Sequence, residues 1–177
     1  MSPFEKPTAA LHGMFRDVMY DAEGRVIWDH GWSKNAIVGD CRLLLAAFTI
    51  GTPSALGVQG LWVGIGDPNW DSSGTPTAQS GQRKLVDPSP YSLDYSKLKV
   101  NFLVGDVTSP NPTNKVQIVA KLGPGVPPLG GATHITLREF GLYGKLDGNN
   151  VLINYVTHPA IAKDSASTLE RTIWLVF

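Results

Sequence analysis

Four histidines are the residues best suited to acid–base or metal chemistry, and they are spread through the chain. They are His12, His30, His134 and His158, and no two of them have the spacing of a local metal pair. A catalytic histidine needs a nucleophile or a carboxylate beside it, and no triad, dyad or ligand set is visible in the sequence. We therefore interpret the four as ordinary polar residues, and we expect neither a cofactor nor an enzyme.

One acidic segment, residues 67–73, is similar to the start of a calcium-binding loop. Its sequence, Asp-Pro-Asn-Trp-Asp-Ser-Ser, places oxygen ligands at alternate positions. An EF-hand loop requires glycine at its sixth position and glutamate at its twelfth, and this chain has Ser72 and Ala78 there. The segment is therefore not an EF-hand. We interpret it as an Asx-rich turn, with a calcium site of another type as the alternative.

Two glycines, Gly64 and Gly66, follow a predicted strand and invite comparison with a phosphate-binding loop. The dinucleotide-binding motif has a third glycine and opens directly into a helix, whose N-terminus receives the phosphates. Here Asp67 and Pro68 come next, and the third glycine is missing. The pair of glycines therefore predicts a turn and no nucleotide site.

Cys41 is the only cysteine, so the chain can form no disulfide within itself. It falls on the apolar stripe of a predicted helix, where a thiol usually packs as a small apolar side chain. We interpret it as a core residue and not as a nucleophile. A single free cysteine also fits folding in a reducing compartment.

Five tryptophans offer flat rings, which stack on sugars in carbohydrate-binding proteins. Trp32 and Trp70 lie in polar stretches of sequence, and we predict that they form the exposed pair. They are the candidate stacking residues for a glycan. The alternative is that the tryptophans pack in the core or at an interface, which is the commoner role of this residue.

Alternating apolar and polar residues predict that most of the chain forms β-strands. In residues 98–104 and 116–122 every second residue is apolar. Residues 13–20 and 25–30 predict a hairpin across the turn at 21–24. We count seven or eight strands without βαβ alternation, which indicates a mainly β protein and, more specifically, an antiparallel β-sandwich.

One amphipathic α-helix is predicted over residues 36–48. Apolar residues recur there at helical spacing and form one stripe: Ile37, Cys41, Leu44, Leu45 and Phe48. Asn35 or Ser33 is the predicted N-cap, because either side chain accepts a hydrogen bond from a free backbone N–H. Gly51 and Pro53 are expected to end the helix.

The C-terminal part of the chain, residues 133–177, predicts three strands in succession. Apolar positions change from one strand face to the other near Arg138 and Glu139, so we predict a β-bulge or a bend there. We expect the apolar face of the last strand to be covered by the domain's own core or by a neighbouring subunit. This face comprises Leu169, Ile173, Leu175 and Phe177.

Length and charge exclude several classes of protein. The 177 residues fit a single domain, which we place at residues 13–177 behind an extended arm at 1–12. Lys and Arg number 15, as do Asp and Glu, so no net charge attracts nucleic acid or an anionic membrane. The N-terminus lacks the pattern of a signal peptide, and no window of about 18 apolar residues predicts a membrane span.

The surface is expected to take part in an assembly. Charged residues make up 17% of the chain, against roughly 25% in typical soluble domains. The loops at 66–82 and 123–131 are long and rich in polar residues or in Pro and Gly, as contact loops often are. We take the arm, the second loop and the C-terminal residue as the candidate interface: Pro3, Phe4, Pro7, Val126, Pro127, Pro128, Leu129 and Phe177.

Short motifs, taken in order along the chain, carry a family resemblance. They are Asn-Ala-Ile-Val at 35–38, Val-Gly-Ile-Gly at 63–66, Gln-Arg-Lys at 82–84, Arg-Glu-Phe-Gly-Leu-Tyr at 138–143, Asn-Tyr-Val at 154–156 and Leu-Glu-Arg-Thr-Ile at 169–173. Together they resemble small tail-fibre, collar or baseplate-associated proteins of tailed phages and of phage-tail-like injection systems. The arm and the loop at 123–131 fall outside the resemblance.

The resemblance implies a non-enzymatic virion structural protein, assembled in the host cytoplasm. Its expected partners are further copies of the chain and other virion proteins, and it implies no cofactor, metal or catalytic residue. Two alternatives remain: a capsid decoration protein, and a carbohydrate-binding module that recognises a host-surface glycan through Trp32 and Trp70.

Overall fold

The computed structural model describes residues 11–177, which form eleven β-strands, two α-helices and one 3₁₀ turn. The strands are β1 (His12–Tyr20), β2 (Val26–Ile37), β3 (Leu56–Gly64), β4 (Tyr91–Asp94), β5 (Leu98–Val104), β6 (Val107–Ser109), β7 (Lys115–Leu122), β8 (His134–Leu146), β9 (Asn149–Leu152), β10 (Asn154–Asp164) and β11 (Thr168–Val176). The helices are α1 (Gly39–Thr49) and α2 (Trp70–Ser73), and the 3₁₀ turn is Tyr95–Lys97. The prediction of a mainly β protein is confirmed.

The strands form one curled antiparallel sheet. Their order is β4-β3-β8-β10-β2-β1-β11-β7-β5-β6, and β9 pairs with β8 outside this path. The curl brings Phe15 of β1 edge-on to Phe140 of β8, with 5.3 Å between the ring centroids. The predicted number of strands is therefore too low, and a sandwich of two separate sheets is not confirmed.

The inner face of the curled sheet encloses the main hydrophobic core. Leu169, Ile173 and Leu175 of β11 point into it and are buried, as their alternation predicts. Helix α1 adds Cys41 and Leu44 to the same cluster. The domain's own core therefore covers three residues of the predicted face, and burial of each contributes about 1.5–3 kcal/mol. Phe177, the fourth residue of that face, is exposed and follows the end of β11.

The first hairpin is confirmed, and its second strand is longer than predicted. The side chain of Asp21 accepts hydrogen bonds from the backbone N–H groups of Glu23 and Arg25, which fixes the turn. A register shift in the pairing of β1 with β2 accommodates Gly31, whose φ is +73°. β2 therefore continues past this glycine as far as Ile37.

Helix α1 begins at Gly39, three residues later than predicted. Residues 36–37 instead pair with β10, and Asn35 and Ser33 lie within β2. The N-cap position is taken by Val38, which forms no side-chain capping hydrogen bond. The predicted cap is wrong, because strand pairing outweighs the local helical preference.

The β-bulge predicted at Arg138–Glu139 lies on the neighbouring strand instead. β8 runs through these two residues, whereas β10 carries extra residues between Thr157 and Ile161. Pro159 lies in this irregular stretch and has no backbone N–H to donate to a ladder. The proline therefore explains why the register breaks in β10.

Two short strands were not predicted from the sequence. β4 lies between the loop at 66–82 and β5, and β6 lies in the stretch between β5 and β7. β4 and β6 are also the two edge strands of the sheet. Strands of three or four residues are too short to show a period of two.

The sheet has a gap between β2 and β10. The two strands pair at Ile37–Asn154 and Ala36–Tyr155, and within the described part of the chain they pair nowhere else. Beyond this two-residue bridge their edges face each other unpaired. We call the gap between residues 26–35 of β2 and 156–164 of β10 the seam.

Candidate functional site

Arg138 of β8 holds the loop that contains the calcium-like segment. Its Nε and Nη2 donate to the two carboxylate oxygens of Asp71, at 2.8 and 2.6 Å, and its Nη1 donates to the carbonyl of Ile65 at 2.9 Å. This bidentate pair lowers the pKa of the Asp71 carboxyl below its ordinary value. Arg138 therefore fixes Asp71, and with it the loop at 66–82, against β8. A calcium site in this segment stays a prediction.

Glu139, the next residue, holds a second loop from inside the protein. Its carboxylate accepts hydrogen bonds from the backbone N–H groups of Val86 and Asp87, at 3.0 and 2.7 Å, and from the hydroxyl of Tyr155 at 2.6 Å. Burial and the neighbouring carboxylate raise the pKa of the Tyr155 hydroxyl. Glu139 is fully buried, and its donors all come from the chain itself, so it acts as a structural tie.

The glycines after β3 allow these two loops to approach the sheet closely. A Cβ at Gly64 would lie 2.8 Å from Oε1 of Glu139, and a Cβ at Gly66 would lie 2.6 Å from the ring of Trp70. Gly66 also has a φ of +58°, which favours glycine. Their role is close packing around a turn, and the residues that directly follow them form no helix N-terminus to receive a phosphate.

The remaining residues of the 138–143 motif are packed in the same way. A Cβ at Gly141 would lie 2.6 Å from the carbonyl oxygen of Asn154. Tyr143 stacks on Trp62 with 4.3 Å between centroids, and its hydroxyl lies 3.0 Å from that of Ser92. The motif therefore joins β8 to its neighbours and contains no exposed reactive group.

A buried ion pair lies inside the curled sheet. Arg171 donates through Nε and Nη2 to the two carboxylate oxygens of Asp17, at 2.7 and 2.6 Å, and both side chains are at most 1% exposed. The guanidinium also lies 3.7 Å from the ring centroid of Phe140. Asp17 and Arg171 are direct register partners on the adjacent strands β1 and β11, so the pair joins two neighbouring strands on the inner face of the sheet.

His158 of β10 completes this buried group. Its Nε2 lies 3.1 Å from Nη2 of Arg171, which can only donate, so Nε2 accepts and Nδ1–H donates to the carbonyl of Pro159 at 2.9 Å. Burial and the positive charge of Arg171 lower the pKa of His158 to about 3. The neutral imidazole therefore serves as a hydrogen-bond bridge between β10 and β11.

The sequence reasoning missed this buried group, although the sequence contains a signal for it. Arg171 falls between Leu169 and Ile173 on the apolar face of β11, and Asp17 falls between Phe15 and Met19 in β1. A charged residue at the buried position of an alternating strand needs an opposite charge nearby. Because the two charges have opposite signs, each residue predicts the other as its partner.

The seam contains a cleft of about 450 Å³. Trp28 and His30 of β2 form one wall and Ile161 of β10 lies on the other, with Met19 of β1 among the lining residues. The β2 side of the seam also exposes apolar side chains: Val26 is 58% exposed and Ile27 is 56% exposed. Apolar groups concentrated on an unpaired strand are typical of a contact surface.

The structure does not pair Trp32 with Trp70. Trp32 is exposed, but its ring lies 3.9 Å from the ring of Trp174, which also has the ammonium of Lys115 at 3.6 Å. Trp70 packs over Gly66 at the start of α2. Both rings are engaged within the chain, so the geometry favours packing over a sugar platform.

The candidate interface residues lie at separate places. Pro3, Phe4 and Pro7 lie outside the described residues. In the Pro/Gly loop, Pro128 is exposed, Val126 and Leu129 are half-buried and Pro127 is buried. Phe177 is exposed, and its backbone exchanges hydrogen bonds with Asn114. Their part in an interface stays a prediction.

Other chemistry finds no support among residues 11–177. Cys41 is buried, and desolvation raises the pKa of its thiol to about 11, as expected of a core residue and not of a nucleophile. Over this part of the chain, the His, Cys, Asp and Glu side chains form no group of three that could hold a metal ion. No helix there is long and apolar enough to cross a membrane.

Comparisons with known proteins identify no relative. No protein-family model, no curated protein and no solved structure matches the chain.

Proposed function

We propose that this protein is a non-enzymatic structural subunit that assembles with further copies of itself in a tailed-phage or phage-tail-like particle. The tail-fibre, collar or baseplate region is the expected location. The motifs that suggested this class serve as internal ties: Arg138 and Glu139 hold loops, and Arg171 holds two strands together. A mechanical part needs such ties and needs no reactive group.

The observation that carries the proposal is the apolar edge of β2. Val26, Ile27 and Trp28 are consecutive exposed residues on a strand whose seam side lacks a partner within residues 11–177. A protein that stays monomeric usually protects such an edge with charge, proline or a covering loop. We infer that a protein neighbour covers it in the assembly.

Light scattering on a sizing column tests the proposal with one pair of variants. The full chain, 19.1 kDa per copy, should elute as a defined oligomer, and Ile27→Glu should shift it toward monomer. Val107→Glu is the matched control, because Val107 is an apolar residue 71% exposed on β6, the edge strand remote from the seam in the strand order. A monomer at every concentration, or equal effects of the two variants, would contradict self-assembly through β2.

Immunogold electron microscopy tests the location. An antibody raised against the purified protein should label the tails of intact particles from the same source. Labelling spread evenly over the heads would favour a capsid decoration protein. An absence of label from all particles, together with a glycan-array signal lost in Trp32→Ala or Trp70→Ala, would favour the carbohydrate-binding alternative.

A further inference from the structure

The seam presents two strand edges that face each other without pairing. β2 pairs with β1 on its other side, and β10 pairs with β8 on its other side. Within residues 11–177, neither 26–35 of β2 nor 156–164 of β10 has a strand partner across the seam. Free N–H and C=O groups on such an edge form a template to which a further strand can be added.

The two edges differ in how well they are protected. β10 has Pro159 and the irregular stretch between Thr157 and Ile161, both of which disrupt regular pairing. β2 has no proline, and Val26 and Ile27 at its start are apolar and exposed, whereas the exposed charges Asp29 and Lys34 and the register shift at Gly31 lie farther along the strand. An added strand is therefore expected to pair along β2 and only to lie beside β10.

We propose that residues 1–10 of a neighbouring copy bind in the seam as an added β-strand along β2. The inference rests on the proposed self-assembly and names the segment that produces it. The sequence of this segment is Met-Ser-Pro-Phe-Glu-Lys-Pro-Thr-Ala-Ala.

The prolines of this segment have the spacing that one-sided pairing requires. In a strand, the backbone groups of alternate residues point to the same neighbour. Pro3 and Pro7 are four residues apart, so their missing N–H groups belong to one side, while Ser2, Phe4 and Lys6 keep theirs on the other. The side of the segment that keeps all its N–H groups pairs with β2. The side that contains the prolines faces β10, where Pro159 already interrupts pairing.

The cleft in the seam fits the aromatic residue of the segment. Phe4 is its one aromatic side chain, and it alternates with Pro3 and Glu5 across the strand. With Phe4 turned inward, its ring meets Trp28 and His30, which already pack against each other with 5.6 Å between centroids. Burial of such a ring is the type of anchor that dominates interfaces.

The neighbouring copy supplies this segment more directly than the same chain does. β1 starts beside the bridged end of the seam, since Gly13 pairs with Asn35. The open cleft lies near Met19, about 20 Å farther along β1. The chain's own residues 1–10, which span at most roughly 36 Å, would have to reverse direction and pass residues 75–78, which lie against the bridged end. A segment from another copy has no such constraint.

Cross-linking between two single-cysteine variants of the full chain tests the inference. Glu5→Cys and Ile27→Cys are placed in separate chains, mixed, and treated with a short bis-maleimide that tolerates a one-step difference in register. A cross-linked pair with one chain of each type should form, because only exchange between copies brings these positions together. The native Cys41 is buried and should not compete. The matched control replaces Ile27→Cys with Val107→Cys.

The outcomes separate this inference from the proposed function. A yield of mixed product with Ile27→Cys well above the yield with Val107→Cys supports exchange of residues 1–10. Mixed product that is absent, or equal in yield to that with Val107→Cys, overturns the inference. A single chain that carries both Glu5→Cys and Ile27→Cys is a further sample, and cross-linking that occurs only within that chain also overturns it. If light scattering of the same samples still shows an oligomer that depends on Ile27, the proposed function survives without the exchange; a monomer contradicts both.

A second variant pair tests the anchor. Phe4→Ala should weaken self-association at least about tenfold, whereas Glu5→Ala, on the opposite face of the added strand, should leave it within about twofold. Sedimentation velocity over a concentration series measures both. Equal association constants for the two variants would show that Phe4 does not occupy the cleft.

Discussion

β8 and β2 are long strands of the same sheet. They differ in whether the polar groups around them find hydrogen-bond partners within the described part of the chain. Around β8, the side chains of Arg138 and Glu139 form hydrogen bonds with backbone and carboxylate groups of two loops, so these groups have partners within the chain. Along β2, the backbone edge is unpaired within the described residues, and the first three side chains, Val26, Ile27 and Trp28, are apolar and exposed. The first region is complete within one chain, whereas we propose that a partner completes the second.

The largest expected loss of stability comes from the buried ion pair. Asp17→Ala leaves the Arg171 guanidinium buried without its counter-charge, which should lower the free energy of unfolding by about 3–5 kcal/mol. Urea denaturation measures this. Asp29→Ala is the matched control, since Asp29 makes the same type of pair with Arg16 at the protein surface. Its loss should be much smaller, because solvent screens an exposed pair. Similar losses in the two variants would mean that burial does not set the strength of these ties.

The next largest effect is expected at Glu139. Glu139→Gln replaces an acceptor by an NH₂ group that faces backbone donors, so the free energy of unfolding should fall by about 2–3 kcal/mol. Tyr155→Phe removes one of the three donors and should cost about 1 kcal/mol. Urea denaturation of both variants gives the comparison. If Tyr155→Phe proved as damaging as Glu139→Gln, the backbone of the second loop would not depend on this carboxylate.

His158 should make stability depend on pH. Its pKa is about 3 in the folded protein and near 6.5 in the unfolded chain, so at intermediate pH the unfolded chain binds the extra proton. The contribution is complete above pH 6.5 and is lost as the pH falls toward 3, with a slope of up to about 1.4 kcal/mol per pH unit. Thermal unfolding across this range should show a shallower slope in His158→Gln than in the parent. His134→Gln is the matched control, because it makes the same replacement at an exposed site outside the buried group.

The smallest effect on overall stability is expected at Asp71, whose side chain is half-exposed. Asp71→Asn removes the bidentate partner of Arg138, so the loop at 66–82 should open more often while the sheet stays intact. Hydrogen exchange should accelerate in that loop, with the urea midpoint unchanged. Faster exchange throughout β8 would show that Arg138 and Asp71 support the sheet itself.

Strongly periodic segments could be predicted from the sequence. The alternation at 98–104 and 116–122 identified β5 and β7, and the acidic turn before Arg25 identified the first hairpin. These features depend on neighbours along the chain. Local preference decides such segments, so one sequence is enough.

Features set by distant partners could not be predicted. Residues 36–37 have a helical pattern, yet they pair with Asn154 and Tyr155, more than a hundred residues away. The polar residues around Trp32 predict a loop, yet Trp32 lies in a strand and its ring packs against that of Trp174. No local pattern shows which residues the sheet brings together. The roles of Arg138 and Glu139 were missed for this reason, although the motif that contains them was noticed.

The position of β11 has a consequence for synthesis. β11 lies between β1 and β7, and it is made after the ten other strands described. Without β11, the strand order leaves two separate groups of strands, one from β4 to β1 and one of β7, β5 and β6, with no strand to join them. The edge of β1 that β11 covers stays unpaired until a strand about 150 residues downstream has been made. Pairing between strands so far apart in the sequence forms slowly. A chain that ends before β11 would lack the strand that joins β1 to β7, so only a chain that includes β11 can close the core.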